Sequence, residues 1–327
     1  MKRIIALSVL LGVLAGGVYA EVILGGELYT GVALDIPADG DESIGVNHRE
    51  KENTLLELTA VVNKDNFGGK LDTSFVKQPS DFFKLNGIYG WVYFLNKQIR
   101  LTLGDISDAV WVVTPDNNSE YFFDDVSGFR LEYKTPLPGL SVGAAFDTGD
   151  YTLEKFAKQI VFGASYVHAL FNTVAAYDMG SNAQTIFGFN FTGIDRLTTA
   201  KIALKASNLA LWDRWGSIFF DEEVAYGFTD EFTVALHLGQ SYYNNRDELG
   251  LTFRPGVRYR ILRPLTVFLD VEVNSQDVFK TTNLVVNPWL EYSLGGLGLL
   301  YLEYKLTLPD LKNPAHLIGF GLEIKAF

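Results

Sequence analysis

The chain has no cysteine among its 327 residues. Disulfide bonds are therefore excluded, and so is the lipid-bearing cysteine of a lipoprotein. Histidine is scarce. His48, His168, His237 and His316 are scattered, and no pair has the His-x-x-x-His spacing of a helical metal site. Asp35, Asp39 and Asp41 lack the spacing of a calcium loop, so no metal or other cofactor is expected. Beyond the first twenty residues, no apolar run reaches the roughly 20 residues of a membrane-spanning helix. Positive charge is in deficit, with 27 basic against 39 acidic residues and a net charge of −12. That balance disfavours nucleic-acid partners, which call for a basic face.

The first twenty residues read MKRIIALSVLLGVLAGGVYA. Lys2 and Arg3 precede an apolar centre, and Val18-Tyr19-Ala20 is a small-residue cleavage pattern, which predicts a secretory signal peptide over 1–20. Without its two basic residues the mature chain carries a net charge of −14. An exported chain of this size without disulfides needs another source of stability, and a closed hydrogen-bonded barrel supplies one. In a membrane, a chain without spanning helices crosses only as a barrel.

The clearest pattern lies between Leu249 and Ser275. Leu251, Phe253, Val257, Tyr259 and Ile261 take one face; Thr252, Arg254, Gly256, Arg258 and Arg260 take the other. After Leu262-Arg263-Pro264 the alternation resumes, with Leu265, Val267, Leu269, Val271 and Val273 opposite Thr266, Phe268, Asp270, Glu272 and Asn274. Period 2 means strand, and two such runs across a tight turn make an antiparallel hairpin. Full charges in mid-strand, opposite an apolar face, fit a membrane barrel with lipid outside and water inside.

Similar segments recur from Val22 to the C-terminus and predict about eighteen strands, with sixteen as the alternative. The first begins directly after the leader, which leaves no room for an N-terminal plug. Connections after odd-numbered strands are mostly long and polar, as in Asp35–Asn53, Asp105–Asp125 and Ser275–Thr282. Those after even-numbered strands are short, as in Asn96-Lys97, Thr229-Asp230 and Gly295-Gly296. A β-sandwich gives no reason for this parity; an up-and-down barrel does. Tyr133, Phe191, Phe228, Tyr259 and Tyr292 precede short turns, and Phe171 and Phe232 follow them, as in an interfacial aromatic girdle.

The leader, the loop parity, the long loop after the fifth strand and a last strand ending HLIGFGLEIKAF together resemble the general diffusion porins of Gram-negative-type outer membranes. The likeness spans residues 21–327 and is architectural. It implies an all-β, transmembrane antiparallel barrel in the outer membrane that passes small hydrophilic solutes and ions. It also implies recognition of the C-terminal strand by the barrel-assembly machinery, contact with outer-membrane lipids, and a possible homotrimer. Three details sit outside the pattern. Phe327 is out of phase with Ile318, Phe320, Leu322 and Ile324. Glu222 and Glu223 are adjacent, so one faces lipid unless a bulge intervenes. The strand Leu85–Leu95 is apolar on both faces.

The resemblance implies that the loop Asp105–Asp125 folds into the pore. The loop carries Asp105, Asp108, Asp116, Glu120, Asp124 and Asp125 with no lysine or arginine, and its apolar patch Ala109–Val113 suits an inner-wall anchor. Arg100, Arg130, Arg254, Arg258 and Arg260 are the candidates for the opposing basic wall, giving a transverse field across a constriction. The competing reading is an exposed acidic loop, with the arginines paired to Asp270, Glu272 and Glu303. Two other function classes stay open at this stage. A barrel phospholipase or protease needs a nucleophile and base near a rim; His237 and Ser241 share a face but lie about 13 Å apart. An adhesin or structural barrel with partner-binding loops is the other.

Overall fold

The computed structural model describes residues 21–46, 54–76, 83–107, 126–147, 160–179, 184–191, 196–207, 216–244, 247–277 and 280–326. The strands are β1 (Glu21–Ile36), β2 (Ser43–Val46), β3 (Thr54–Lys64), β4 (Phe67–Val76), β5 (Phe83–Phe94) and β6 (Ile99–Ile106). Next come β7 (Val126–Lys134), β8 (Leu140–Asp147), β9 (Ile160–Val167), β10 (Phe171–Asp178), β11 (Gln184–Phe191), β12 (Leu197–Ser207) and β13 (Ser217–Gly227). The remainder are β14 (Phe232–Tyr243), β15 (Glu248–Leu262), β16 (Leu265–Gln276), β17 (Thr281–Ser293), β18 (Gly298–Leu308) and β19 (Ala315–Ala326).

From β3 onward each strand pairs antiparallel with the next; β1 pairs with both β2 and β3, and with β19 from Gly26↔Ala326 to Ile36↔His316. This last ladder closes the sheet and removes its edges. The short β2 continues the line of β3 along β1: Leu28 faces Leu56, and Val32 faces Val46. The two fill one place in the ring, so the barrel has eighteen strand positions. At normal strand spacing and tilt this gives a backbone diameter of about 35 Å. The connections at Asp65-Asn66 and Arg263-Pro264 lie at one end, and the long connection from β6 to β7 lies at the other; the β14–β15 and β16–β17 connections at that second end are as short as the β13–β14 turn, so loop length separates the two ends only in part.

The two faces have opposite chemistry. Leu24, Val32, Leu103, Phe129, Phe162, Phe187, Leu204, Phe253 and Phe320 point outward and are exposed, as a lipid-facing band requires. Inward, Thr102, Arg130, Asp221, His237, Glu303 and Glu323 are buried. An aromatic belt runs outside, near the short turns. Phe171 stacks with Phe189 at 4.9 Å, Phe189 meets Phe191 at 4.5 Å, and Phe228 meets Phe232 at 5.8 Å.

The apolar phases of β5 now separate. Tyr89, Trp91 and Tyr93 face inward, while Ile88, Val92 and Phe94 face out. At Glu222-Glu223 there is no bulge. Glu223 aligns with Lys201 and His237 on the inner face, and Glu222 aligns with Ile202 and Leu238 on the outer face. Phe327 lies outside the described residues.

Candidate functional site

The inner wall is organised in rows, each made of residues aligned across neighbouring strands. One row runs Lys201, Glu223, His237, Arg254, with Glu272 next by the same register. Each of its two carboxylates has a basic side chain aligned beside it, Glu223 beside Lys201 and Glu272 beside Arg254, which suits side chains about 4.8 Å apart across a ladder. The row is tied to a second one through Asp221, whose Oδ1 lies 3.5 Å from His237 Nε2, both groups being nearly inaccessible. His237 and Ser241 are both inward, separated along β14 by the Gly239 position, so that serine is not beside the imidazole.

A further row runs Thr233, Arg258, Phe268, Trp289, Glu303, Gly319 and Ala33. The Phe268 and Trp289 rings are parallel, with centroids 4.6 Å apart and planes 2° from each other. The Arg258 guanidinium sits 6.0 Å from the Phe268 centroid, and Trp289 Nε1 donates to Glu291 Oε1 at 2.9 Å. The stacked pair thus stands between an arginine on β15 and carboxylates on β17 and β18. Sequence alternation marks Phe268 as inward but does not pair it with Trp289; the β16–β17 register does.

Arg254, Arg258 and Arg260 share the inner face of β15, with Arg260 beside Thr266 near the short turn. Arg100 and Arg130 lie on β6 and β7. With β2 and β3 sharing one place, β6 and β15 stand nine places apart in the ring of eighteen. The two arginine groups are therefore on opposite walls. Arg130 is fully buried, and its Nε lies in an ion pair 2.8 Å from Glu132 Oε1. Arg100 stacks on Trp91 and Tyr93, 5.1 and 5.9 Å from their centroids.

Asp105 sits at the end of β6 in the phase of Leu101 and Leu103, which is the outer phase, and accepts from Ser127 Oγ at 2.7 Å. It is therefore at the rim and does not point into the lumen. Asp108, Asp116, Glu120, Asp124 and Asp125 lie outside the described residues.

Sequence reading missed the apolar inner wall at the root of this loop. Tyr89, Ile106, Val126, Ala145 and Ala176 form one cluster, each no more than 5 % exposed. Inward apolar residues spread over separate strands look like isolated exceptions in sequence. Only the closed sheet brings them together. Gly104, at φ 127°, sets the path of β6 here; a Cβ there would lie 2.8 Å from the Tyr89 Cα.

A second acidic group lines the inner wall at the β1–β19 seam. Tyr29 donates its hydroxyl to Glu27, with Glu57 and Glu323 nearby. Lys325 lies 3.2 Å from Glu323 and 4.0 Å from Glu27. Around β16 to β3 the wall thus carries Asp270, Glu272, Glu291, Glu303, Glu323, Glu27 and Glu57.

No protein-family model matches the chain, and no curated protein matches it in sequence. Solved structures do match in shape. The outer membrane protein OpdK of Pseudomonas aeruginosa aligns with a TM-score of 0.64 and 11 % identity, over 94 % of this chain and 98 % of its own. An anion-selective porin from Comamonas acidovorans aligns with a TM-score of 0.60 and 11 % identity, over 94 % and 100 % of the two chains. A mutant Rh. blastica porin gives a TM-score of 0.56 and 14 % identity over 94 % and 100 %. At such identities the likeness is one of fold: this chain has the closed antiparallel barrel seen in outer-membrane porins.

Proposed function

We propose that the protein is an outer-membrane porin, a water-filled channel for passive diffusion of small hydrophilic solutes and ions. The observation that carries this is the inner face of an eighteen-position barrel, which bears charged side chains around its wall. A ring of that size leaves an aqueous lumen, whereas eight strands are filled by their own side chains. Diffusion needs no cofactor and no catalytic residue. On this reading residues 1–20 are the cleaved leader and the short turns face the periplasm. The C-terminal strand engages the assembly machinery, and the barrels associate as homotrimers.

The same reading places the loop 108–125 inside the pore as its constriction, with Arg254, Arg258 and Arg260 on the far wall. Two observations support it. The loop leaves from β6, opposite β15. Its root also carries Ile106 at 0 % and Val126 at 5 % exposure on an inner face that an open lumen would leave wet. The net acidity of the chain and the acidic sector from β16 to β3 favour cations. A Debye length of about 8–10 Å keeps that preference mild.

Planar bilayers test both statements. Purified protein in KCl is expected to give stable single-channel steps, with a small reversal potential of cationic sign in a salt gradient. An electrically silent barrel that cleaves lipid or peptide would replace the porin with an enzyme. Neutralising Asp108, Asp116 and Glu120 together should lower cation selectivity. If deleting residues 106–124 changes neither conductance nor selectivity, the loop lies outside the pore.

A further inference from the structure

The short-turn end of the lumen holds a basic pocket that the net acidity of the chain conceals. A cavity of about 140 Å³ is lined by Tyr93, Lys97, Gln98, Arg100, Glu132, Lys134 and Ser141. It adjoins a wider recess of about 570 Å³ that shares Tyr93, Lys97 and Lys134 with it and adds Lys64, Asp65 and Glu21. Tyr93, Arg100 and Glu132 are aligned on one row of β5, β6 and β7, and Lys134 pairs with Ser141 on the next position of that wall.

The charges inside the smaller cavity do not cancel. Lys97, Arg100 and Lys134 supply three cations, and Glu132 is the single acid. Glu132 is engaged from behind by the fully buried Arg130 at 2.8 Å. The pocket thus presents an excess of positive charge. Arg100 is flanked by two rings: its guanidinium carbon lies 5.1 Å from the Trp91 centroid and 5.9 Å from that of Tyr93, which restricts where the fork can go. Its buried Nε has no hydrogen-bond partner among the described residues. Trp91 is seated in turn over Gly68, where a Cβ would come within 2.6 Å of the indole Cε2. The volume equals that of roughly four to five liquid waters, enough to admit a phosphate or a short carboxylate.

We infer that this pocket is a binding station for small oxyanions, carboxylate or phosphate, at the periplasmic mouth of the channel. The fork of Arg100 takes two oxygens and Lys97 and Lys134 close over the third side. The station rests on the porin reading for its access from the periplasm, but the pocket itself does not. It makes the two mouths of a mildly cationic pore unequal towards anions.

The test uses the full barrel in planar bilayers in KCl, with inorganic phosphate or acetate added to one side at a time. Addition on the periplasmic side is expected to change the open-channel current saturably, at lower concentration than addition on the other side. Arg100→Gln should raise the half-saturating concentration about tenfold or more, as loss of a charged hydrogen-bonding partner does. The doubly substituted Lys97→Gln/Lys134→Gln barrel, altered only at exposed rim positions, should shift it in the same direction. Saturation by both probes supports a general oxyanion station, and saturation by one assigns it to that class. KCl steps that respond to neither probe, or that respond alike in the variants, overturn the station and leave the pore standing. If no KCl steps appear, the pore reading fails. Dialysis equilibrium of labelled phosphate against the detergent-folded barrel and its Arg100→Gln variant then decides the station alone.

Discussion

Glu222 is a carboxylate on the wrong side of a membrane barrel, and replacing it should stabilise the fold. It is the sixth residue of the eleven in β13, and its aligned neighbours Ile202 and Leu238 are apolar. Five residues to either end, at about 3.3 Å each and a tilt near 40°, put it about 12–13 Å from both strand ends. That is the middle of an apolar band about 25 Å tall. A lysine or arginine at such a depth costs about 2–4 kcal/mol, and an acid less. Glu222→Leu should therefore stabilise the barrel by about 1–2 kcal/mol, a factor of roughly 5–30 in the folding equilibrium. The control is Glu223→Leu, which removes an inward acid aligned with Lys201 and His237 and should destabilise. Reversible denaturant titration in lipid vesicles measures both. If Glu222→Leu destabilises as much as Glu223→Leu, Glu222 does not face lipid and the outward phase of β13 is wrong. Loss of an oligomeric species in the Glu222→Leu protein would refute the argument differently, by showing that a second barrel covers this carboxylate.

Other perturbations probe other parts of the wall. Gly104→Val should lower the yield of folded barrel sharply, because a side chain there meets the β5 backbone at a φ that only glycine adopts easily; resistance to cold detergent reads this out. Trp289→Ala should cost about 0.5–1.5 kcal/mol beyond the lost area through the parallel stack with Phe268, measured in the same titration, whereas Phe268→Trp should be tolerated. In intact cells, external protease should cut within residues 37–53 and spare Thr229-Asp230; cutting at the latter would invert the topology.

The alternation of side chains in the sequence determined most of this architecture. Period 2 is local, so the strands from Val22 to the C-terminus, the inward phase of Arg254, Arg258 and Arg260, and the lipid phase of Ile318, Phe320, Leu322 and Ile324 can be read without a fold. Loop parity is also local and predicts which turns share an end. What the tertiary structure decided is everything that depends on register between strands and on closure. The seam of β1 with β19 sets the ring at eighteen positions, and that number puts the arginines of β15 opposite β6. Asp105 reads as a pore acid in composition, but its register with Ser127 assigns it to the outer phase. The pair Glu222-Glu223 is ambiguous in sequence because a bulge would reverse one of them, and an unbroken ladder on both sides removes the ambiguity. The pocket around Arg100 draws on four strands and on a glycine that admits Trp91. No spacing along the chain encodes it, because its residues become neighbours only across hydrogen-bonded ladders.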